Sequence, residues 1–106
     1  MRVLVCGGRD FRDVTAVYHA LDQLDARYPI THLIQGGARG VDEIAAQWAE
    51  ARHKELRTFP AHWDLHGKAA GPIRNKQMLE EGHPEIVVAF PGGRGTENMV
   101  QLAEKA

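Results

Sequence analysis

The chain has a single cysteine, Cys6, among 106 residues. An internal disulfide is therefore excluded, and a reducing, cytoplasmic setting fits. Cationic excess is missing too: thirteen Lys and Arg stand against fourteen Asp and Glu, for a net charge of −1. That balance disfavours a generally basic glove for nucleic acid and leaves only a local basic patch open. Long apolar runs are absent: the longest, Ile86 to Phe90, falls far below the ~20 residues of a membrane span, so no membrane partner is expected. Met1 to Cys6 passes straight into strand-like sequence with no signal-peptide pattern. There is no repeat, low-complexity stretch or linker.

What is present is ordinary globular composition, 43% hydrophobic and 25% charged, enough for one domain over residues 1–106 and too little for two. The elements alternate. Val3–Cys6 reads as a buried strand stopped by Gly7–Gly8. Val14, Val17, Tyr18, Leu21 and Leu24 recur at helical spacing, with Asp13 as N-cap and Pro29 beyond the end. Thr31–Gln35 is a second strand, stopped by Gly36–Gly37, and Val41, Ile44, Ala45, Trp48 and Ala49 mark a second helix. A weaker strand lies around Glu55–Phe59, followed by a long connection from Ala61 to Ala70. Pro72 suits the first turn of a third helix that closes at Gly82. Glu85–Phe90 is the strongest strand. Thr96 is placed to cap a last helix with Met99, Leu102 and Ala103 inward. Four β–α units with apolar strands predict an α/β fold: a Rossmann-like, three-layer α/β/α arrangement around a mainly parallel sheet of four or five strands. A closing strand would be natural after Ala106, so either the domain lacks that final edge strand or a partner covers the edge.

In an open parallel sheet, ligands sit beyond the carboxyl ends of the strands. Each strand here runs toward a glycine-bearing turn: Gly7–Gly8, Gly36–Gly37, Gly67 with Gly71, and Gly92–Gly93 with Gly95. Successive amides in such turns, followed by a helix N-terminus, attract anions. Arg9, Arg39, Lys68, Arg74 and Arg94 fall at or just after these turns, which reads as a focused anion site. Solvated loop arginines and ordinary turn glycines are the bland alternative.

Several sharper motifs fail. Gly93–Asn98 spells GxGxxN, on the last unit rather than the first, so it is no dinucleotide fingerprint. Gly67–Lys68 lacks the upstream glycine of a Walker loop. His62 and His66 flank Asp64 without a clear third ligand, so no metal is expected. Nothing implies another cofactor. Cys6 reads as a buried strand residue.

Four segments carry a family resemblance across essentially the whole chain: Val5–Phe11, Gln35–Asp42, Gly71–Met78 and Phe90–Thr96. Together, and in this order, they resemble the SLOG superfamily, and within it the small YspA/cpYpsA-related branch. The resemblance implies a Rossmann-like fold and the binding or processing of a nucleotide-derived ligand. Two relatives bear on activity. One is the LOG phosphoribohydrolases, whose Pro-Gly-Gly-x-Gly-Thr motif matches Pro91 to Thr96 and whose arginine is matched by Arg74. Their glutamate falls three residues after the threonine, where this chain has Met99. The other is the Smf/DprA group, which binds single-stranded DNA and has stretches like Ala38–Asp42 and Arg74–Asn75. The resemblance allows a homodimer.

The expected site follows. Gly7, Gly8, Gly36, Gly37, Gly92, Gly93 and Gly95 bring the backbone to the ligand and offer amides to phosphate, with Gly40 and Pro91 in the same motifs. Arg9, Arg39 and Arg74 supply charge-assisted bonds. Thr96 caps the last helix, reaches a phosphate, or does both. Asp10 and Asp42 accept from a ribose hydroxyl or serve their turns. Trp63 stacks on a base or plugs an apolar gap. Asn75 reads a base edge or caps a turn. Should the ligand be turned over, Arg74, Glu97 and Asp42 are the catalytic candidates. The leading reading is a sensor or handler of a phosphorylated nucleoside or ADP-ribose-like compound. The alternatives are a nucleotide hydrolase and a single-stranded DNA binder.

Overall fold

Strand β1 (Arg2–Cys6) pairs with β2 (His32–Gln35) on one side and β4 (Ile86–Ala89) on the other, and β3 (Glu55–Thr58) closes the far edge beside β2. The sheet order is β3-β2-β1-β4 and every pair is parallel. This computed structural model describes Met1–Ala106 in full.

The alternation of β1 builds both faces. Val3 and Val5 point to one side, where α1 (Val14–Arg27) and α2 (Val41–Ala51) bury Val17, Leu21, Ile44 and Trp48. Leu4 and Cys6 point to the other, against Met78 of α4 (Ala70–Gly82) and Met99 of α5 (Arg94–Lys105). The predicted three-layer α/β/α arrangement is present, with four strands. Right-handed crossovers explain the sides. The chain steps from β1 to β3 in one direction, then must turn back past both inner strands to reach β4, which puts α4 on the opposite face. Trp48 is fully buried and donates from Nε1 to Asp22 Oδ1 at 2.8 Å, so its polar edge is satisfied.

Helix α1 starts as predicted. The Asp13 side chain accepts from the Ala16 amide at 3.0 Å, and the helix ends at Tyr28, just before Pro29. The connection after β3 differs from the loop expected. It contains one helical turn, α3 (Trp63–His66), and a 3-10 turn (Gly67–Ala69) that leads into α4. Pro72 is the third residue of α4, still in the first turn where its missing N–H costs nothing. Gly67 and Gly71 therefore belong to helical turns rather than to a strand-ending loop. The expectation that Thr96 caps the last helix is overturned: α5 begins at Arg94, Gly93 stands at the cap without a side-chain bond, and Thr96 is inside the first turn. Glycines at 93 and 95 disguise that start, because they read as loop.

The two edges are unlike. β3 is exposed along its length, which fits its weak apolar pattern. β4, the strongest apolar run in the sequence, lies at the other edge and is only half-buried. No helix is long and apolar enough to cross a membrane.

Candidate functional site

The strand order reverses between β1 and β4, so the crevice at their carboxyl ends is where this topology offers a ligand site. A cleft of about 490 Å3 opens there, within the size range of small-molecule sites. Its walls are the segment after β1 (Gly7, Gly8, Arg9, Asp10), the start of α2 (Asp42), the α3–α4 region (Trp63, Lys68, Gly71, Arg74, Asn75) and the start of α5 (Gly93 to Thr96, with Asn98). Cys6 and Met78 also line it. A second hollow of about 340 Å3 adjoins it, lined by Gly36, Gly37, Ala38 and Arg39 with Pro60 and Ala61. Arg9, Trp63 and Arg74 line both.

Most turn glycines serve contact between loops. Gly8 donates its amide to Pro91 O at 2.8 Å, tying the β1 and β4 segments together. A Cβ on Gly7 would strike Val41, and one on Gly36 would strike the Arg74 guanidinium. The amides of Gly36 and Ala38 both donate to Asp42 Oδ2 at 3.2 Å, and that of Gly37 donates to Gln35 Oε1. Those donors are spent. The first turn of α5 is different. Its first bond runs from Glu97 N to Gly93 O, and the amides of Arg94, Gly95 and Thr96 have no acceptor in the protein. Space beside Gly93 and Gly95 is open.

Arg74 is held rigidly. Its Nε donates to Asn75 Oδ1 at 2.9 Å and its Nη1 to Gly36 O at 2.8 Å. Nη2 has no protein partner. Asn75, itself buried, donates from Nδ2 to Gly95 O and Asn98 Oδ1, both at 3.0 Å. The amide of Asn75 is thus occupied in joining α4, Arg74 and the α5 turn. Burial draws the Arg74 guanidinium below its ordinary pKa, partly opposed by Asp42. Asp42 is 6% exposed. Burial pushes its carboxyl above the ordinary range, against the Ala38 amide, Arg74, the Gly36 amide and Arg9. Its Oδ2 is occupied, but Oδ1 accepts nothing and is not sealed in the interior, so it opens on the cleft.

Trp63 is 47% exposed, with Arg9 Cζ 5.3 Å from its ring centroid. It is no core plug; the buried tryptophan is Trp48.

Residues 1–66 match the sequence model of the YspA, cpYpsA-related SLOG family. The Gene 61 protein of Mycobacterium phage D29 is 40% identical over 113 residues, an alignment that spans 99% of this chain and 90% of that protein. The chain belongs to the SLOG family. Family membership brings nucleotide-related ligand binding in general. No solved structure matches. The family match ends at α3, so the α5 wall of this SLOG domain lies beyond it, within the span shared with the phage protein.

Among the predicted site residues, Gly7, Gly8, Arg9, Asp10, Asp42, Trp63, Arg74, Asn75, Gly93, Gly95 and Thr96 line the main cleft of this SLOG domain, and Gly36, Gly37 and Arg39 line the adjoining hollow. Gly40 packs under the Gly8–Arg9 backbone instead. Gly92 lies against Gly8 and Thr96. Pro91 and Glu97 face a separate hollow beside Phe90 and Gln101. Glu97 is therefore outside the cleft. Met99 is fully buried. Sequence reading missed Asn98, whose position one turn beyond Gly95 on a helical wheel was the available signal.

At the cleft floor, burial pushes the Cys6 thiol up to about 11, with the Asp42 charge adding to it and Arg74 opposing. Relative to an ordinary thiol at 9.0, the folded protein carries about a hundredfold less thiolate near neutral pH. We expect iodoacetamide to alkylate folded Cys6 at pH 8 far more slowly than the urea-unfolded chain, and Asp42→Asn to speed the folded reaction. Equal rates in folded and unfolded protein would contradict this.

Proposed function

We propose that the cleft binds a nucleotide-derived ligand, a phosphorylated nucleoside or an ADP-ribose-like compound, as a sensor or handler. The observation that carries this reading is the set of three acceptorless amides at the first turn of α5, on the same cleft wall system as the free Nη2 of Arg74 and the free Oδ1 of Asp42. A phosphate takes the amides and the helix dipole, and Arg74 adds a charge-assisted bond. Asp42 Oδ1 accepts from a ribose hydroxyl, and the exposed face of Trp63 stacks on the base.

Nucleoside monophosphates at about 100 times Kd should then stabilise the protein by about 2.7 kcal/mol in thermal unfolding. Asp42→Asn keeps a carbonyl oxygen for the Gly36 and Ala38 amides but removes the charge that receives the hydroxyl. Its affinity should fall about tenfold. A thermal scan that does not move with any nucleotide would refute this reading.

Turnover is the second reading, and the raised carboxyl of Asp42 favours it, since a general base works best near the operating pH. Against it, Glu97 faces away from the cleft and Met99, at the LOG glutamate position, is in the core. Chromatography separates the two: unchanged nucleotide after long incubation fits a binder, and release of free base fits an enzyme. Binding to oligonucleotides that weakens steeply with salt would instead favour the single-stranded DNA reading.

A further inference from the structure

The ligand space is divided. Arg9, reaching from the segment after β1, rests on the Trp63 ring of α3, and both residues border the main cleft and the adjoining hollow. Arg74 borders both as well. The two sides differ in how they can hold an anion. The main cleft has the acceptorless amides of α5 and two carboxylates, Asp10 and Asp42. The adjoining hollow has no carboxylate in its lining, and its Gly36, Gly37 and Ala38 amides are spent on Asp42 and Gln35, which leaves those of Arg39 and Ala61. It has three guanidinium groups instead, from Arg9, Arg39 and Arg74. Three cations and no acid, in a chain of net charge −1, form a positive well, and a single phosphate at α5 held with Arg74 leaves Arg9 and Arg39 unanswered. Arg39 forms no hydrogen bond or ion pair within the protein, so its guanidinium is free for a ligand.

We propose that the site takes a ligand with two separately held phosphates, one at the first turn of α5 with Arg74 and the other between Arg9 and Arg39, with the ligand crossing the Arg9–Trp63 contact between them. This rests on the nucleotide reading above and narrows it to a nucleoside that carries a second phosphate away from its first. A nucleoside 3′,5′-bisphosphate and a 5′-phosphorylated dinucleotide share that chemistry. The Trp63 ring, bordering both sides, supplies the stacking face for the part in between. The second phosphate is held mainly by exposed arginine side chains. Its contribution should therefore be lost with the arginines and weaken with salt more than the amide-held one does.

The test is calorimetric titration of the intact protein with adenosine 5′-monophosphate, adenosine 3′,5′-bisphosphate and the dinucleotide pApA. We expect the second phosphate to raise affinity about tenfold or more, and Arg39→Ala to erase that advantage. Arg39 is exposed and unpaired, so the variant folds. Arg12→Ala, which removes an exposed arginine outside both hollows, should preserve the advantage. An advantage for pApA alone assigns the second phosphate to a nucleotide chain; one for the bisphosphate assigns it to a single nucleoside. Equal affinity for the monophosphate and both doubly phosphorylated probes overturns the two-phosphate inference while the nucleotide reading stands. No binding of any of the three overturns both.

Discussion

Arg74→Ala should weaken nucleotide binding by about a hundredfold while the α/β/α core stays folded. Two losses combine. The free Nη2 disappears from the cleft that the first turn of α5 and Asp42 also line, and the anchor that fixes Asn75 against Gly36 goes with it. The bonds to Gly36 O and Asn75 Oδ1 explain why charge alone is not enough. Lysine cannot reproduce a planar fork that binds two fixed acceptors and presents a third nitrogen. Arg74→Lys should therefore recover only a small part of the affinity. Calorimetric titration of wild type and both variants, with circular dichroism as the fold control, measures this. Wild-type affinity in Arg74→Lys would mean that only a diffuse positive charge is needed, and the fixed geometry described here would be irrelevant.

Gly40→Ala should be among the most destabilising single changes in the chain, on the order of 4 kcal/mol, from backbone strain and overpacking together. Gly40 has φ of 74° and ψ of −125°, a region that residues with a side chain avoid. The new methyl would also enter the Gly8–Arg9 backbone, where the Val41 amide already donates to Gly8 O at 3.2 Å. Gly67 separates the two costs. It has φ of 56° and ψ of −133°, close to the Gly40 conformation, but nothing within 4 Å of an added Cβ, so Gly67→Ala meets only the backbone penalty, about 1–3 kcal/mol. Urea titration of both variants checks the difference. Equal losses would show that the packing of the first two turns contributes little.

The layers were readable because β1 and β2 are short apolar runs and α1 and α2 repeat at helical spacing, patterns that burial itself imposes. Asp13 was readable as a cap because its oxygen reaches only local amides. The edge position of β4 was not. An apolar run such as Ile86–Ala89 looks the same in the middle of a sheet and at its rim, and only the direction of the crossover decides. The start of α5 was hidden by Gly93 and Gly95, and α3 by a polar stretch with no repeating apolar face. The cleft shows the same limit. The arginines and turns could be placed at one rim from the crevice rule. Which amides remain free could not, because the competitors are remote or side-chain acceptors: Pro91 for Gly8, Asp42 for Gly36. The outward direction of Glu97 likewise depends on where α5 begins.

The pairing of β1 with β4 joins Val3 to Ile86, and α5 follows only after that strand. During synthesis, β1, α1, β2 and α2 can collapse early through local contacts, whereas the acceptorless amides of α5 arrive last, after the longest loop closure in the domain. A nascent chain held on the ribosome before α5 emerges would carry most of its hydrophobic nucleus and an unfinished cleft. Any ligand of that cleft can therefore assist only the final docking step, not the collapse that precedes it.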